Sequence, residues 1–300
     1  MNWFLRKLKS FISVSIDNKT LATKNRLQSI LKMIFPIRFI KEKKLFLNYK
    51  KFFEETQLIF SENLNLNIEN PDTNDIVLSS RVKFDLNKHQ QKNKKQYLQE
   101  ITNIFDYAPD SPEVLFASSP KVIKSVMNYM QCFPVLHNIT LMYSPNKFSE
   151  SPSGSQLWHR DAEDVKNIKI WIPVNDIDED CGPTEILNKD ISEEIARKLN
   201  YVQGALVEEN HALFSQVKPA HLVGKAGEIM VTDTGSSFHR GSNPKNNESK
   251  ERLVLMIHYV SGFSAYHRPF IGLKPMHCNN KWYNFKIRDQ LTLDLLRFIN

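Results

Sequence analysis

Cysteine is nearly missing from this chain. There are three in 300 residues, Cys132, Cys181 and Cys278, widely spaced and with no C-x-x-C pair. That excludes a disulfide framework and a cysteine-rich structural zinc site, and a reducing, cytoplasmic setting is expected. No run of 18 apolar residues occurs, so no membrane-spanning helix is expected either. The opening MNWFLRKLKSFISVSI places Arg6, Lys7 and Lys9 inside its apolar stretch and lacks a small-residue cleavage site, which makes it a poor signal peptide. No internal repeat is present.

What the chain does have is enough apolar material for a sizeable core, 41% hydrophobic against 24% charged residues. Its net charge of +7 is unevenly spread. Residues 1–55 hold 13 Lys/Arg against 4 Asp/Glu, a net of +9, so the remainder carries −2. The high pI therefore belongs to an N-terminal segment and says little about the substrate of the main body. Residues 1–56 read as a basic helical extension and 57–300 as the principal domain. In WFLRKLKSFI, Phe4, Leu8, Phe11 and Ile12 recur at helical spacing. Such a helix either packs on the main domain or lies on an anionic membrane through residues 1–16. No recognisable nucleic-acid module accompanies the charge, so no nucleic-acid partner is expected.

Along the chain, DIVLSSRVKF (75–84) reads as a short strand and NKHQQKNKKQ (87–96) as a solvated linker. Ser119 and Pro120 suit the N-cap and first position of a helix. From about 136 to 262 the texture changes to short β-branched and aromatic runs, HNITLMYS, IKIWIPV, GEIMVTD and RLVLMIHYV, separated by turn-rich loops. Strands without long helices between them suggest an antiparallel sandwich or barrel, a mainly β core with flanking helices. The polar loop from Ser144 to Gln156 is a candidate flap over a pocket. Residues 282–299 return to helical periodicity.

The segment WHRD carries the one H-x-[D/E] of the chain, His159 and Asp161. Alone it is a weak signal, since a surface polar pair reads the same way. In an extended strand, however, residues i and i+2 face the same side, so both side chains reach one ion. His239 is the best third ligand, because it stands where a strand runs out into a Gly- and Ser-rich turn. Two His and one carboxylate on one face of a metal suit a non-haem Fe(II) centre with positions left for a cosubstrate and O2. Zinc takes the same ligands but needs fewer open positions. Arg252 opens the apolar strand RLVLMIHYV. Facing inward it needs a carboxylate, which a dicarboxylate cosubstrate would provide through a two-point contact. Facing outward it is an ordinary strand-end arginine. His258 shares the strand parity of Arg252 and reads as a satisfied core histidine.

In order, WHRD, IKIWIPVNDIDEDCGPTEI, AGEIMVTDTGSSFHRGSNP and RLVLMIHYV resemble the successive segments of the phytanoyl-CoA dioxygenase family of iron- and 2-oxoglutarate-dependent oxygenases. The resemblance spans roughly 136–262, under half the chain. It implies a double-stranded β-helix, a cupin-like jelly roll wrapped by helices. It implies Fe(II) on His159, Asp161 and His239, and Arg252 on the far carboxylate of 2-oxoglutarate. Trp171 matches a Trp that lines the cosubstrate pocket in some members, and plain core packing is its other reading. The implied activity is hydroxylation of an unactivated C–H bond of a small-molecule or acyl substrate, using O2 and releasing succinate and CO2. Asp161 matters in kind, because relatives that halogenate have lost that carboxylate. Many relatives continue the Gly turn into P-G-S-H, whereas this chain reads GPTEILNKDISEE, so no relative's substrate transfers to it. The basic residue that helps hold 2-oxoglutarate in some members has no clear counterpart; Lys147 in the polar loop is one candidate. The competing classes are a non-catalytic jelly-roll metal-binding protein and a membrane-surface adaptor acting through the N-terminal helix.

Overall fold

The computed structural model describes residues 36–55, 72–88, 97–245, 250–262 and 264. The amphipathic stretch at 1–16, most of the 87–96 linker, Cys278 and the helix expected at 282–299 lie outside the described residues. The helices are α1 (Pro36–Glu55), α2 (Asn74–Asn87), α3 (Pro112–Ala117), α4 (Pro120–Met130), α5 (Lys189–Lys198) and α6 (Ala212–Ser215). The strands are β1 (Gln99–Glu100), β2 (Pro134–Ser144), β3 (Ile168–Pro173), β4 (Thr184–Ile186), β5 (Ala220–His221), β6 (Met230–Asp233), β7 (His239–Gly241) and β8 (Arg252–Ser261).

Two antiparallel sheets make a jelly roll. The major sheet runs β1-β2-β8-β3-β6 and the minor one β5-β4-β7. Backbone bridges Trp158↔Val207 and His159↔His239 attach the 157–161 segment to the minor side. The major sheet is asymmetric because its strands alternate. Ile139 and Leu141 of β2, Ile168, Ile170 and Ile172 of β3, and Leu253, Leu255, Ile257 and Tyr259 of β8 face one way. There they pack with Val122, Ile123, Val126 and Met127 of α4 into the main core. The alternate residues, among them Met142, Lys169, Trp171, Arg252 and Met256, line a cavity between the sheets. The helical layer thus takes the apolar face, and the polar inner face is left for a site.

Helix α4 begins as its sequence suggests, with Ser119 Oγ accepting from the Val122 amide and Pro120 in the first turn. The strand expected over DIVLSSRVKF is instead the body of α2. Ile76, Val77 and Ser80 are its buried residues and Phe84 packs against the core. That spacing of three to four is helical, and it overrides the β-branched composition that suggested a strand. Arg81 then ties the helix to the end of β3, its Nη2 donating to Val174 O at 3.1 Å. On α1, Leu45, Phe46 and Tyr49 pack on the main core, with the Tyr49 and Phe133 rings stacked at 4.5 Å. Among the described residues, no helix is long and apolar enough to cross a membrane.

A candidate metal centre and an anion pocket

The HRD segment is held by its backbone before its side chains act. His159 and His239 exchange both amide bonds, 3.1 and 2.9 Å, and the Asp161 amide donates to Thr234 O at 2.9 Å. Gln203 Nε2 donates to the carbonyls of Asp161 (2.6 Å) and Gly235 (2.7 Å), tying the segment to the turn before β7. Asp233 shapes that turn, its Oδ1 accepting from the amides of Gly235 and Ser236 at 3.1 and 3.2 Å. The bridge sets the two imidazoles side by side, ring centres 4.2 Å apart. As the i, i+2 argument requires, Asp161 faces the same space.

The ligand atoms converge. Asp161 Oδ1 is 3.8 Å from His159 Nε2 and 3.7 Å from His239 Nε2. Among the described residues, these three form the one His/Cys/Asp/Glu group suited to hold a metal ion. Metal–nitrogen and metal–oxygen bonds of about 2.0–2.2 Å bring neighbouring ligand atoms to about 3 Å, so a closure of under about 1 Å suffices. The carbonyls facing each Nδ1 favour the tautomer a metal needs. The Nδ1 of His159 faces Leu157 O at 2.8 Å and that of His239 faces Ser237 O at 3.2 Å. A proton on each Nδ1 leaves the Nε2 lone pairs aimed at the Asp161 side. Burial, then the adjoining His159 ring, pushes His239 down to about 3, so it stays neutral and ready to ligate. Burial pulls the Asp161 carboxyl upward, but Lys169 and the imidazoles outweigh it and hold it well below the usual carboxylate range.

Lys169 is the residue the motif reading missed. Its Nζ lies 2.6 Å from Asp161 Oδ2, with both side chains nearly buried. Strand parity was the available signal: in IKIWIPV, Lys169 shares the inward face of Trp171 while the isoleucines take the other. Burial lowers its affinity for a proton, yet Asp161 and Glu163 reverse that and keep the ammonium charged. One histidine, His137, was also passed over. Register slips between Leu136 and Asn138 of β2, leaving His137 as the extra residue. This bulge brings both His137 and Asn138 to the cavity wall. The His137 ring meets His258 edge-on at 4.8 Å, and burial pushes it down to about 4. His258 is a satisfied buried histidine, Nε2 3.0 Å from Asn167 Oδ1.

Arg252 also faces inward, at the opposite end of β8 from His258, with Ser144 as its β2 partner. Its Nη2 donates to Ser144 Oγ at 3.3 Å, and its Nε has no hydrogen-bond partner among the described residues. No described carboxylate pairs with it, and burial pushes it down to about 10. A guanidinium with a buried Nε and no described acid beside it is free to receive an anion. Trp171 forms the wall between, packed with Ile177, Cys181, Val254 and Met256, its Nε1 donating to Thr232 Oγ1 at 2.8 Å. It both lines the cavity and packs in the core. The cavity measures about 370 Å³, enough for a small molecule.

The polar loop from Ser144 to Gln156 lines this cavity with Lys147, Ser155 and Gln156. Asn243 fastens it: Oδ1 accepts from Ser149 N (3.1 Å) and Gln156 Nε2 (3.2 Å), and Nδ2 donates to Ser149 O (3.0 Å). Gly182, at φ +68°, lets the acidic turn approach this same loop-over-loop contact. A Cβ there would sit 2.6 Å from the backbone of Asn243 and Pro244.

No family model matches the chain, and no curated protein matches it. Several solved structures are similar. AviO1 from Streptomyces viridochromogenes Tue57 is 13% identical over 64% of this chain and 86% of that one, with a TM-score of 0.41. The epimerase SnoN, in complex with Fe3+, alpha ketoglutarate and nogalamycin RO, is 12% identical over 64% of this chain and 76% of its own, with a TM-score of 0.47. EctD from S. alaskensis in its apoform is 17% identical over 69% of this chain and 76% of its own, again with a TM-score of 0.47. These likenesses are too loose to assign the chemistry of the site, which stands on the residues themselves.

Proposed function

We propose that the chain is an Fe(II)- and 2-oxoglutarate-dependent oxygenase, resembling the phytanoyl-CoA dioxygenases, that hydroxylates an unactivated C–H bond of a small-molecule or acyl substrate. One observation carries the reading. A convergent His159–Asp161–His239 set and an acid-free Arg252 with a buried Nε line the same cavity. A metal site alone, or an arginine alone, has many explanations; a metal site sharing a cavity with an unanswered cation asks for an anionic, chelating cosubstrate.

His159, Asp161 and His239 would hold the iron by Nε2, one carboxylate oxygen and Nε2. Arg252 and the Ser144 hydroxyl would take the far carboxylate of 2-oxoglutarate, and Trp171 would form its wall. When bound, iron and cosubstrate supply the oxidising power, with O2 consumed and succinate and CO2 released. The chain positions the reactants and keeps water out: the Asn243-fastened loop covers the cavity, and the aromatic and apolar wall keeps the charged groups dry. The test is succinate release from 2-oxoglutarate by iron-loaded protein, screened against metabolite pools. Iron binding with no 2-oxoglutarate binding at any concentration would instead support the non-catalytic metal-binding class. The adaptor class turns on residues 1–16, and liposome co-sedimentation of the full chain against a truncation tests it.

A further inference from the structure

We propose that Lys169 is the resident counter-ion of the metal site: its ammonium holds one oxygen of Asp161 aside and balances the buried carboxylate until a divalent cation binds. The inference rests on the metal reading above. The carboxylate is divided between two tasks. Oδ2 carries Lys169 Nζ at 2.6 Å, while Oδ1 is the oxygen near both imidazole nitrogens, at 3.8 and 3.7 Å. Lys169 therefore leaves the face where the three ligand atoms meet clear and offers the metal a single carboxylate oxygen.

The pair is dry, with 12% of the Lys169 side chain and 11% of Asp161 exposed. β3 brings the lysine there by alternation, with the Trp171 ring 5.8 Å from its ammonium. Without Lys169, the metal-free site would hold a buried carboxylate beside two imidazoles and without its ammonium partner. With a dication in place, the carboxylate has another positive partner, and the nearby ammonium repels that dication. Lys169 thus stabilises the metal-free protein more than the metal-bound one. It keeps the site formed before metal arrives, at some cost in metal affinity.

The test compares full-length wild type with Lys169→Met and Lys169→Arg. Thermal unfolding is followed in EDTA and in saturating Co(II), and Co(II) affinity is taken from its visible absorption. In EDTA, Lys169→Met unfolds at a lower temperature than wild type. Its Co(II)-induced rise in Tm is larger than that of wild type, and it binds Co(II) roughly ten-fold more tightly. Lys169→Arg, which keeps the charge, stays near wild type in both readouts. If Co(II) raises the Tm of wild type and Lys169→Met equally, or if Lys169→Met binds Co(II) more weakly, the proposal is overturned while the metal site stands. A wild type unmoved by Co(II), Mn(II) or Fe(II) overturns the metal reading itself, and the proposal with it. Should Lys169→Met not fold in EDTA, Lys169→Gln is refolded with and without Co(II): rescue by Co(II) is the expected result, and failure in both conditions overturns the idea.

Discussion

Arg240 on β7 and Arg252 on β8 both border the cavity, and they are treated in opposite ways. Arg240 Nε lies 2.7 Å from Glu185 and its Nη1 2.5 Å from Glu209, while its guanidinium stacks over the Trp158 ring at 5.0 Å. Burial works against its charge, but Glu185 and Glu209 more than restore it. Arg252 has the Ser144 hydroxyl and no described acid, so burial works against it almost unopposed. The first arginine spends its charge inside the fold. The second keeps its charge unspent in the same cavity where Asp161 and Lys169 answer each other. A charge the fold has not neutralised is the part of a site that points to a ligand.

The largest effect expected is at the matched end. Asp161→Ala should abolish succinate release, because it removes the one anionic ligand. It should also lower the stability of the metal-free protein by about 3–5 kcal/mol, because it takes from the nearly buried Lys169 ammonium the carboxylate it contacts directly. Urea unfolding in EDTA reads the second effect; a variant with wild-type turnover would refute the ligand assignment.

At the unmatched end, Arg252→Ala should raise the 2-oxoglutarate requirement by roughly thirty-fold to several thousand-fold, corresponding to the loss of about 2–5 kcal/mol from a desolvated pair. Iron affinity should stay near normal. Arg252→Lys should rescue only in part, since an ammonium cannot make the two-point contact. Equilibrium binding of 2-oxoglutarate to the iron-loaded protein separates the two quantities.

Arg240→Ala is the inverse case. It should leave 2-oxoglutarate affinity unchanged and cost about 1–3 kcal/mol of stability, mainly through the nearly buried Glu185 carboxylate left without its partner. If Arg240 rather than Arg252 controls cosubstrate affinity, the contrast between them collapses.

Acid should weaken the fold in a defined window. His137 and His239 are held neutral, with pKa values of about 4 and about 3 against an ordinary 6.5. Below 6.5 the unfolded chain takes up protons that the folded one refuses. Their contribution is therefore complete above about pH 6.5 and is lost as pH falls toward 4 for His137 and 3 for His239. His137→Gln should flatten the upper part of that slope in metal-free protein, and unchanged pH dependence between pH 6.5 and 4 would show that His137 is not the group responsible.

The smallest effect concerns the covering loop. Asn243→Ala removes its three hydrogen bonds to Ser149 and Gln156. Protease nicking between Ser144 and Gln156 should rise at least several-fold, the equivalent of about one net hydrogen bond lost, and 2-oxoglutarate with the true substrate should suppress it.

Much of this was written locally in the chain. β-Branched and aromatic composition marked IKIWIPV and RLVLMIHYV as strands, and the i, i+2 spacing of His159 and Asp161 put both side chains on one side, because strand parity depends only on neighbours. The helix cap at Ser119 and Pro120 was equally local. Composition failed at 75–84, where β-branched residues suggested a strand and the spacing of Ile76, Ser80 and Phe84 made a helix against the core. What only the tertiary structure decided was compensation. Parity aims Lys169 and Arg252 inward alike, but the chain does not say that Asp161 waits for one and nothing acidic for the other. Nor does it show the slip in β2 that brings His137 to the cavity, or the reach of Gln203 to Asp161 from 42 residues away. The direction of a side chain follows from its own strand; whether its charge is answered depends on groups that only folding brings within a few ångströms.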